Sequence, residues 1–276
     1  MSEEARTTKN GTEGPSELVG DCVVVGYGDG EPLIQDESVV AKRGAVTALV
    51  GPNGSGKSTL LRVLADQMAP EDGTVLVDGE EAHTLDKKEF ARKVGLLSQR
   101  RRPPGGMTVE ELVVHGRYPH RGFFESLTDD DREAVERALD LAGIDRLRDR
   151  ELGSLSGGQR QLARIAMVLA QDTDVLLLDE PTTFLDLRHR LEVMSVVEAL
   201  RDEGETTVVV VLHDINQAVR HSDRVVALKD GAVRARGPPE EVVTEETLKN
   251  VFGVEATVEK SGSGLRVEPL CPTEQG

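Results

Sequence analysis

The sequence predicts an α/β fold with a mainly parallel sheet, an N-terminal antiparallel β subdomain and an inserted helical lobe. Three observations carry this. Val23–Val25, Val46–Val50, Val94–Leu97, Val175–Leu178 and Val208–Leu212 are short apolar runs rich in β-branched residues, the composition of strands buried on both faces. Between several of them apolar residues recur at helical spacing, in Leu162, Ile165, Ala166 and Leu169 and again in Val193, Val196, Val197 and Leu200. Asp78-Gly79 and Asp230-Gly231 have the composition of tight hairpin turns, which places antiparallel strands early and late in the chain. Alternating strand and helix patterns of this kind belong to parallel sheets covered by helices.

In chain order, residues 1–17 are polar, contain Gly11, Gly14 and Pro15, and lack the basic-then-apolar pattern of a secretory signal, so a disordered tail is expected. The main domain is expected over residues 18–258. Thr108 to Leu152 reads differently from its surroundings: Thr128 followed by Asp131 can cap a helix, and Val135, Ala138, Leu139 and Ala142 share one face. A helical subdomain is therefore expected as an insertion at about residues 104–160. After Gly237-Pro238-Pro239 the strand signals fade, short helical stretches follow through Phe252, and residues 259–276 are expected to be a flexible, Gly-rich tail.

Composition narrows the function. The 276 residues, 38% hydrophobic, can bury one substantial core. A formal charge of -17 argues against non-specific binding to nucleic acid, which needs Lys and Arg in excess. Many carboxylates, 24 Arg against 9 Lys, and 3% aromatic residues fit a protein kept soluble in a salty cytoplasm, an ordinary acidic surface being the alternative. Cys22 and Cys271 lie far apart with no metal-ligand spacing, so neither a disulfide framework nor a zinc site is indicated. No apolar run approaches the ~20 residues that span a bilayer, so any membrane association must go through a partner.

The chemistry concentrates in a few segments. Gly51-Pro52-Asn53-Gly54-Ser55-Gly56-Lys57-Ser58-Thr59 follows one strand run and precedes a helical one, which is the spacing and context of a phosphate-binding loop. Its glycines let backbone N–H groups turn toward an anion, Lys57 can neutralise the β/γ oxygens, and Ser58 can ligate Mg2+. Asp179 and Glu180 close the strand run Val175–Leu178, where an unpaired carboxylate would be costly unless a cation or proton chemistry uses it. Asp179 suits Mg2+, and Glu180 can act as general base on water attacking a γ-phosphate.

What narrows the family is Leu155-Ser156-Gly157-Gly158-Gln159, directly before an amphipathic helix. By itself Ser156 with Gln159 could be only a capping box. With the phosphate loop, it makes the chain resemble the ABC ATPases, members of the P-loop NTPase class. In that family the signature of one subunit covers the γ-phosphate held by the other, so the resemblance implies a homodimer with two composite ATP sites. It also implies roles for Tyr27 against adenine, for Gln99 near Mg2+ and the attacking water, for Asp186 at the dimer interface, and for His213 near the γ-phosphate. His83, His115, His120, His189, His221 and both cysteines match no landmark and are expected to be structural or surface residues.

The resemblance spans about Leu18 to Val258. Within the family, Gly116-Arg-Tyr-Pro-His-Arg-Gly122, Pro181-Thr-Thr-Phe-Leu-Asp186, Val211-Leu-His-Asp-Ile-Asn-Gln217 and the stretch from Gly237-Pro-Pro to Val251-Phe-Gly253 look like the ATPases of ferric-siderophore, haem and cobalamin importers. Two features depart from the pattern: Ser98 stands where the broader family often has proline, and Arg100-Arg101-Arg102 is an unusual basic run. The resemblance implies an ATP- and Mg2+-dependent subunit at the cytoplasmic face of the membrane, peripheral to a two-copy permease, with an extracytoplasmic binding protein acting indirectly. Ferric siderophore is the leading cargo, with cobalamin and haem as alternatives. A soluble ABC ATPase, such as an iron-sulfur assembly factor, is the reading from another class, and a non-enzymatic binding module is the least favoured.

Overall fold

Alternate residues of the same strands feed two different cores, and the main sheet is the wall between them. The computed structural model describes residues 17–26, 32–98, 106–121, 126–261 and 264–273. In chain order its strands are β1 (Leu18–Val25), β2 (Ile34–Ala41), β3 (Val46–Val50), β4 (Asp72–Val77), β5 (Glu80–Glu81), β6 (Val94–Leu97), β7 (Val175–Leu178), β8 (Thr207–Val211), β9 (Arg224–Lys229), β10 (Ala232–Gly237), β11 (Val254–Ser261) and β12 (Gly264–Pro272). The helices are α1 (Lys57–Leu64), α2 (Lys87–Lys93), α3 (Val109–Val114), α4 (Asp129–Leu141), α5 (Gly157–Leu169), α6 (Leu187–Glu203), α7 (Ile215–His221), α8 (Pro239–Val242) and α9 (Glu245–Thr247).

The large sheet has the order β10-β9-β3-β8-β7-β6, parallel except for β10, which joins β9 through the Asp230-Gly231 turn. Asp230 and Gly231 both have positive φ, as the predicted hairpin requires. Val46, Ala48, Val50, Leu176, Leu178, Val208 and Val210 face one core, shared with α5, α6 and the helical lobe. Leu49, Val175, Leu177, Val209 and Val211 face the other, shared with α1 and the second sheet. Strands covered on both sides have no room for polar alternation, which is why they read as unbroken apolar runs.

The second sheet, β2-β1-β4-β5, is antiparallel, and Asp78-Gly79 makes its tight turn between β4 and β5. Val23–Val25 belongs here. That corrects its reading as a strand buried on both faces: Val23 and Val25 are buried while Val24 between them is only half-buried.

The lobe is helical as expected. Thr108 caps α3 in a full capping box with Glu111, and Thr128 caps α4 in one with Asp131. Val135, Ala138, Leu139 and Ala142 are all buried against the lobe's interior. Gly116, in a tight 3-10 stretch at His115–His120, sits so close to α5 that a β-carbon there would lie 2.0 Å from the Met167 carbonyl oxygen.

The chain's end is not frayed where it is described, which corrects the expectation of a flexible tail from residue 259. β11 and β12 pair in antiparallel register from Val254↔Pro272 to Ser261↔Gly264. Ala256 and Val267 are buried with Val243 and Leu248 in a small third core. Two short helices, α8 and α9, and a π-helical turn at Leu248–Phe252 lead into this hairpin.

Candidate nucleotide-binding site

The parallel strands deliver their carboxyl ends to one edge, the place where open α/β sheets bind ligands. From β3 the chain enters the glycine loop. Gly51, Gly54 and Gly56 have positive φ, and Gly51 must be glycine for a second reason: a β-carbon would lie 2.1 Å from the Leu228 carbonyl oxygen. The loop ends at the N-terminus of α1, with Gly56 as its cap. Asn53 and Gly54 are exposed at its tip, whereas Ser55, Lys57 and Thr59 are buried.

Lys57 is folded onto its own loop. Its Nζ donates to the carbonyls of Gly51 at 2.9 Å and Pro52 at 2.8 Å, and to Ser55 Oγ at 3.4 Å. Burial pulls its ammonium pKa below the usual lysine range, against the raising charges of Glu180 and Asp179. Ser58 Oγ donates to Asp179 Oδ1 at 2.7 Å, joining loop and strand end. Burial pushes the Asp179 carboxyl up, the Ser58 hydrogen bond opposes this, and neighbouring Glu180 adds to it.

Glu180 turns away from β7 in the left-handed region, φ +51°, a conformation that costs a non-glycine residue about 1–3 kcal/mol and is held only where the surroundings dictate it. One of its oxygens, Oε2, accepts from Thr183 Oγ1 at 3.1 Å. The other, Oε1, lies 2.7 Å from His213 Nε2, with His213 following β8. Thus Lys57, Ser58, Asp179, Glu180 and His213, scattered over more than 150 positions, meet along the strand ends.

The signature segment opens α5 and points its first turn outward. Ser156 and Gly157 are exposed, and Ser156 forms a capping box with Gln159, the plain reading of these residues, with both bonds at 3.2 Å. The body of α5 is fixed to the strand ends: Gln161 Nε2 donates to the Pro181 carbonyl at 2.9 Å, and Arg164 donates to the carbonyl of Ser98, which follows β6. Asp186 caps α6 and accepts from the His189 backbone N–H at 2.9 Å. Tyr27, Gln99, Arg100–Arg102 and Gly122 lie outside the described residues.

His189, expected to be a structural or surface residue, makes a structural contact with Asp186. Its Nδ1 is 2.9 Å from both oxygens of Asp186, and its ring lies where a β-carbon on Gly158 would be, 2.1 Å from the ring's Cγ. The i, i+3 spacing of a capping aspartate and a histidine was a readable signal. Sequence reasoning missed the pairing of Arg117 with Asp131, both buried, at 2.8 Å.

The donor set fits Mg2+. A hydroxyl and a carboxylate, both hard oxygen ligands, are held together beside a phosphate loop, and a cation of this kind takes one or two protein ligands with the rest from water and phosphates. Its charge would also relieve the raised Asp179 carboxyl.

A phosphate loop on a parallel sheet, with a strand-end Asp-Glu pair, defines an ATPase of the P-loop class. The ABC transporter family profile matches residues 34–183. The ferric enterobactin transport ATP-binding protein FepC of Escherichia coli (strain K12) is 44% identical, with 90% of this chain and 91% of the relative covered. The iron(3+)-hydroxamate import ATP-binding protein FhuC of Bacillus subtilis (strain 168) is 42% identical, with 85% and 87% covered. Among solved structures, the dimeric bacterial ABC transporter cassette MJ0796 superposes with a TM-score of 0.70 at 30% identity, covering 80% of this chain and 98% of its own. The chain belongs to the ABC transporter family, as one of its ATP-hydrolysing subunits.

Proposed function

We propose that this chain powers an importer of ferric siderophores, two copies closing on ATP beneath a two-copy permease at the cytoplasmic face of a membrane. The observation that carries the chemistry is the meeting of Glu180 Oε1 with His213 Nε2 at 2.7 Å beside a phosphate loop already tied to Asp179 through Ser58.

In this reading ATP phosphates replace the loop carbonyls and Ser55 as acceptors for Lys57, with the loop N–H groups and the start of α1 facing the same oxygens. Thr183 anchors one Glu180 oxygen, so the carboxylate presents the other to the attacking water and takes its proton. His213 orients that carboxylate and offers an N–H to charge developing on the γ-phosphate. Ser58 and Asp179 would hold Mg2+, with Gln99 as a further ligand, and the ion would supply charge neutralisation on the transferred group. Tyr27 is assigned to the adenine face.

The second copy supplies the signature. Ser156–Gln159 satisfies its own backbone and still faces outward, and next to the Asp186 turn Phe184 is 96% exposed and Leu187 73%. An apolar stripe of this kind beside a polar anion-binding turn fits burial against another copy. The ATPase domain is assigned to residues 18–258, with the C-terminal hairpin packed against it and the helical insertion at about 104–160 as the permease-docking lobe. No helix among the described residues is long and apolar enough to cross a membrane. The cargo assignment rests on the names of the relatives, which concern ferric enterobactin and iron(3+)-hydroxamate.

Glu180→Gln tests the chemistry. It should retain ATP binding and accumulate an ATP-bound dimer, measured by size-exclusion chromatography with light scattering, while turnover falls about 10²–10⁴-fold. Turnover at the normal rate would remove Glu180 from the role of base. Uptake assays with the cognate permease decide the cargo, ferric siderophore against cobalamin and haem.

A further inference from the structure

A seven-residue helix cannot hold itself, since isolated helices much shorter than ~12 residues are marginal in water. α7 begins two residues after His213, so whatever fixes its first turn also fixes how His213 leaves β8. Asp214 caps that turn, accepting from the Asn216 N–H at 2.9 Å and the Gln217 N–H at 3.3 Å. Gln217 Oε1 accepts from Thr182 Oγ1 at 3.4 Å, within the segment that carries Glu180.

A further tie comes from the far end of the chain. Asn216 Nδ2 donates to the Val267 carbonyl at 3.0 Å, and Asn216 Oδ1 accepts from the Val267 N–H at 2.8 Å. Both halves of one amide are therefore engaged by a single residue of β12. A carboxylate could make only the accepting bond. Beneath this clamp, Ile215 and Val219 of α7 pack on the small core of Val243, Leu248, Ala256 and Val267. The hairpin thus meets α7 through both a bidentate hydrogen bond and apolar contact.

We infer that the C-terminal hairpin is a brace on the reacting edge, and that Asn216 is a positioning residue which holds His213 against Glu180. The inference rests on the roles proposed above for these two residues. Asn216 touches no substrate in this reading; it acts through α7.

The test is a double-mutant cycle in the full-length chain, with kcat and the KM for ATP measured separately. Asn216→Ala should lower kcat about five- to tenfold and leave KM within about twofold, because the loss falls on the transition state. Asn216→Asp, which keeps the acceptor for the Val267 N–H, should recover part of kcat, and it carries the test if the alanine variant melts early. His213→Ala should lower kcat about a hundredfold, and adding Asn216→Ala should cause no further loss, since both act on one group. Losses that multiply in the double variant, or full kcat in Asn216→Ala beside a crippled His213→Ala, overturn the brace. Normal turnover in His213→Ala overturns the assigned role of His213 instead, and the brace only with it.

Discussion

The sheet edge and the helical lobe both bring charged groups together, but they use them in opposite ways. At the sheet edge Lys57, Asp179, Glu180 and His213 are brought together by strands buried on both faces, and their partners include one another, Thr183 and the glycine loop. In the lobe the buried pair, Arg117 with Asp131, joins α4 to the 3-10 stretch, while Arg117 also donates to the Ala170 carbonyl at the end of α5. Of the groups assigned to a ligand there, Ser156 and Gly157 are exposed, and the side chains of Ser156 and Gln159 close a capping box on the segment's own backbone. In the proposed reading one half of the site is thus finished within the chain, and the other is presented to something outside it. A single chain should bind ATP at the edge and yet be unable to complete the reaction.

The sharpest way to separate the halves is to damage the lobe alone. Asp131→Ala leaves Arg117 buried without its counter-charge, and removing one partner of such a pair typically costs about 3–5 kcal/mol. Replacing both, as in Arg117→Met with Asp131→Leu, should cost clearly less, because no charge is then stranded. Chemical denaturation measures both. Burial alone would raise the Asp131 carboxyl, but hydrogen bonds from Arg117 and Thr128 and the Arg117 charge outweigh it and hold the pKa below its ordinary value. The sign follows: a depressed folded pKa contributes stability that is complete above the unfolded value, near 4, and is lost as pH falls through the folded one. The acid limb of the stability profile should therefore flatten in the double variant. ATP binding at the edge should be untouched at neutral pH, and its loss would show that the two regions are one unit.

Gly158→Ala probes the seam between lobe and interface with a smaller disturbance. The new methyl group would press into the His189 ring, which must then swing away from Asp186. Overpacking of this kind costs about 1–3 kcal/mol. ATP affinity of the single chain, read by fluorescence titration with a nucleotide analogue, should hold, whereas ATP-driven dimerisation should weaken. Adding His189→Ala opens the space and should return part of the thermal stability. If it returns none, the ring is not what makes glycine necessary at 158.

The same contrast explains what the sequence could disclose. The edge was legible because its parts are consecutive: a glycine loop after a strand run, Asp179-Glu180 after another, His213 after a third. Both hairpin turns were legible for the same reason, since Asp-Gly pairs carry their positive φ locally. What composition could not separate was neighbourhood, so Val23–Val25 looked like the parallel strands although it lies in the antiparallel sheet. The Arg117–Asp131 pair joins residues of different elements and leaves no periodic trace. The final hairpin did leave one: Val254, Ala256 and Val258 alternate along β11, with Leu265 and Val267 opposite. That period-2 pattern is weak, because Pro269, Pro272 and glycines interrupt it, and in the structure only Ala256 and Val267 of the described hairpin residues are fully buried.

Thr108→Ala carries the smallest effect and asks whether the lobe opens by itself. Thr108 Oγ1 accepts from the Glu111 N–H at 3.2 Å and the Glu111 carboxylate returns a bond to the Thr108 N–H at 2.8 Å, so the substitution removes half of a capping box and should cost about 1 kcal/mol. α3 buries only Val109, Leu112 and Val113, and its start is tied to the rest of the lobe through Arg148 and Arg150 carbonyls. Where a lobe is a cooperative unit of its own, a lost cap raises hydrogen exchange across that unit and leaves the remaining structure protected. Amides of α3 and α4 should therefore exchange about five times faster, as 1 kcal/mol implies, while those of β3, β7 and β8 keep their rates. An equal increase in the central strands would mean that lobe and sheet open only together, and the division between a finished edge and a presented signature would then be one of geometry alone.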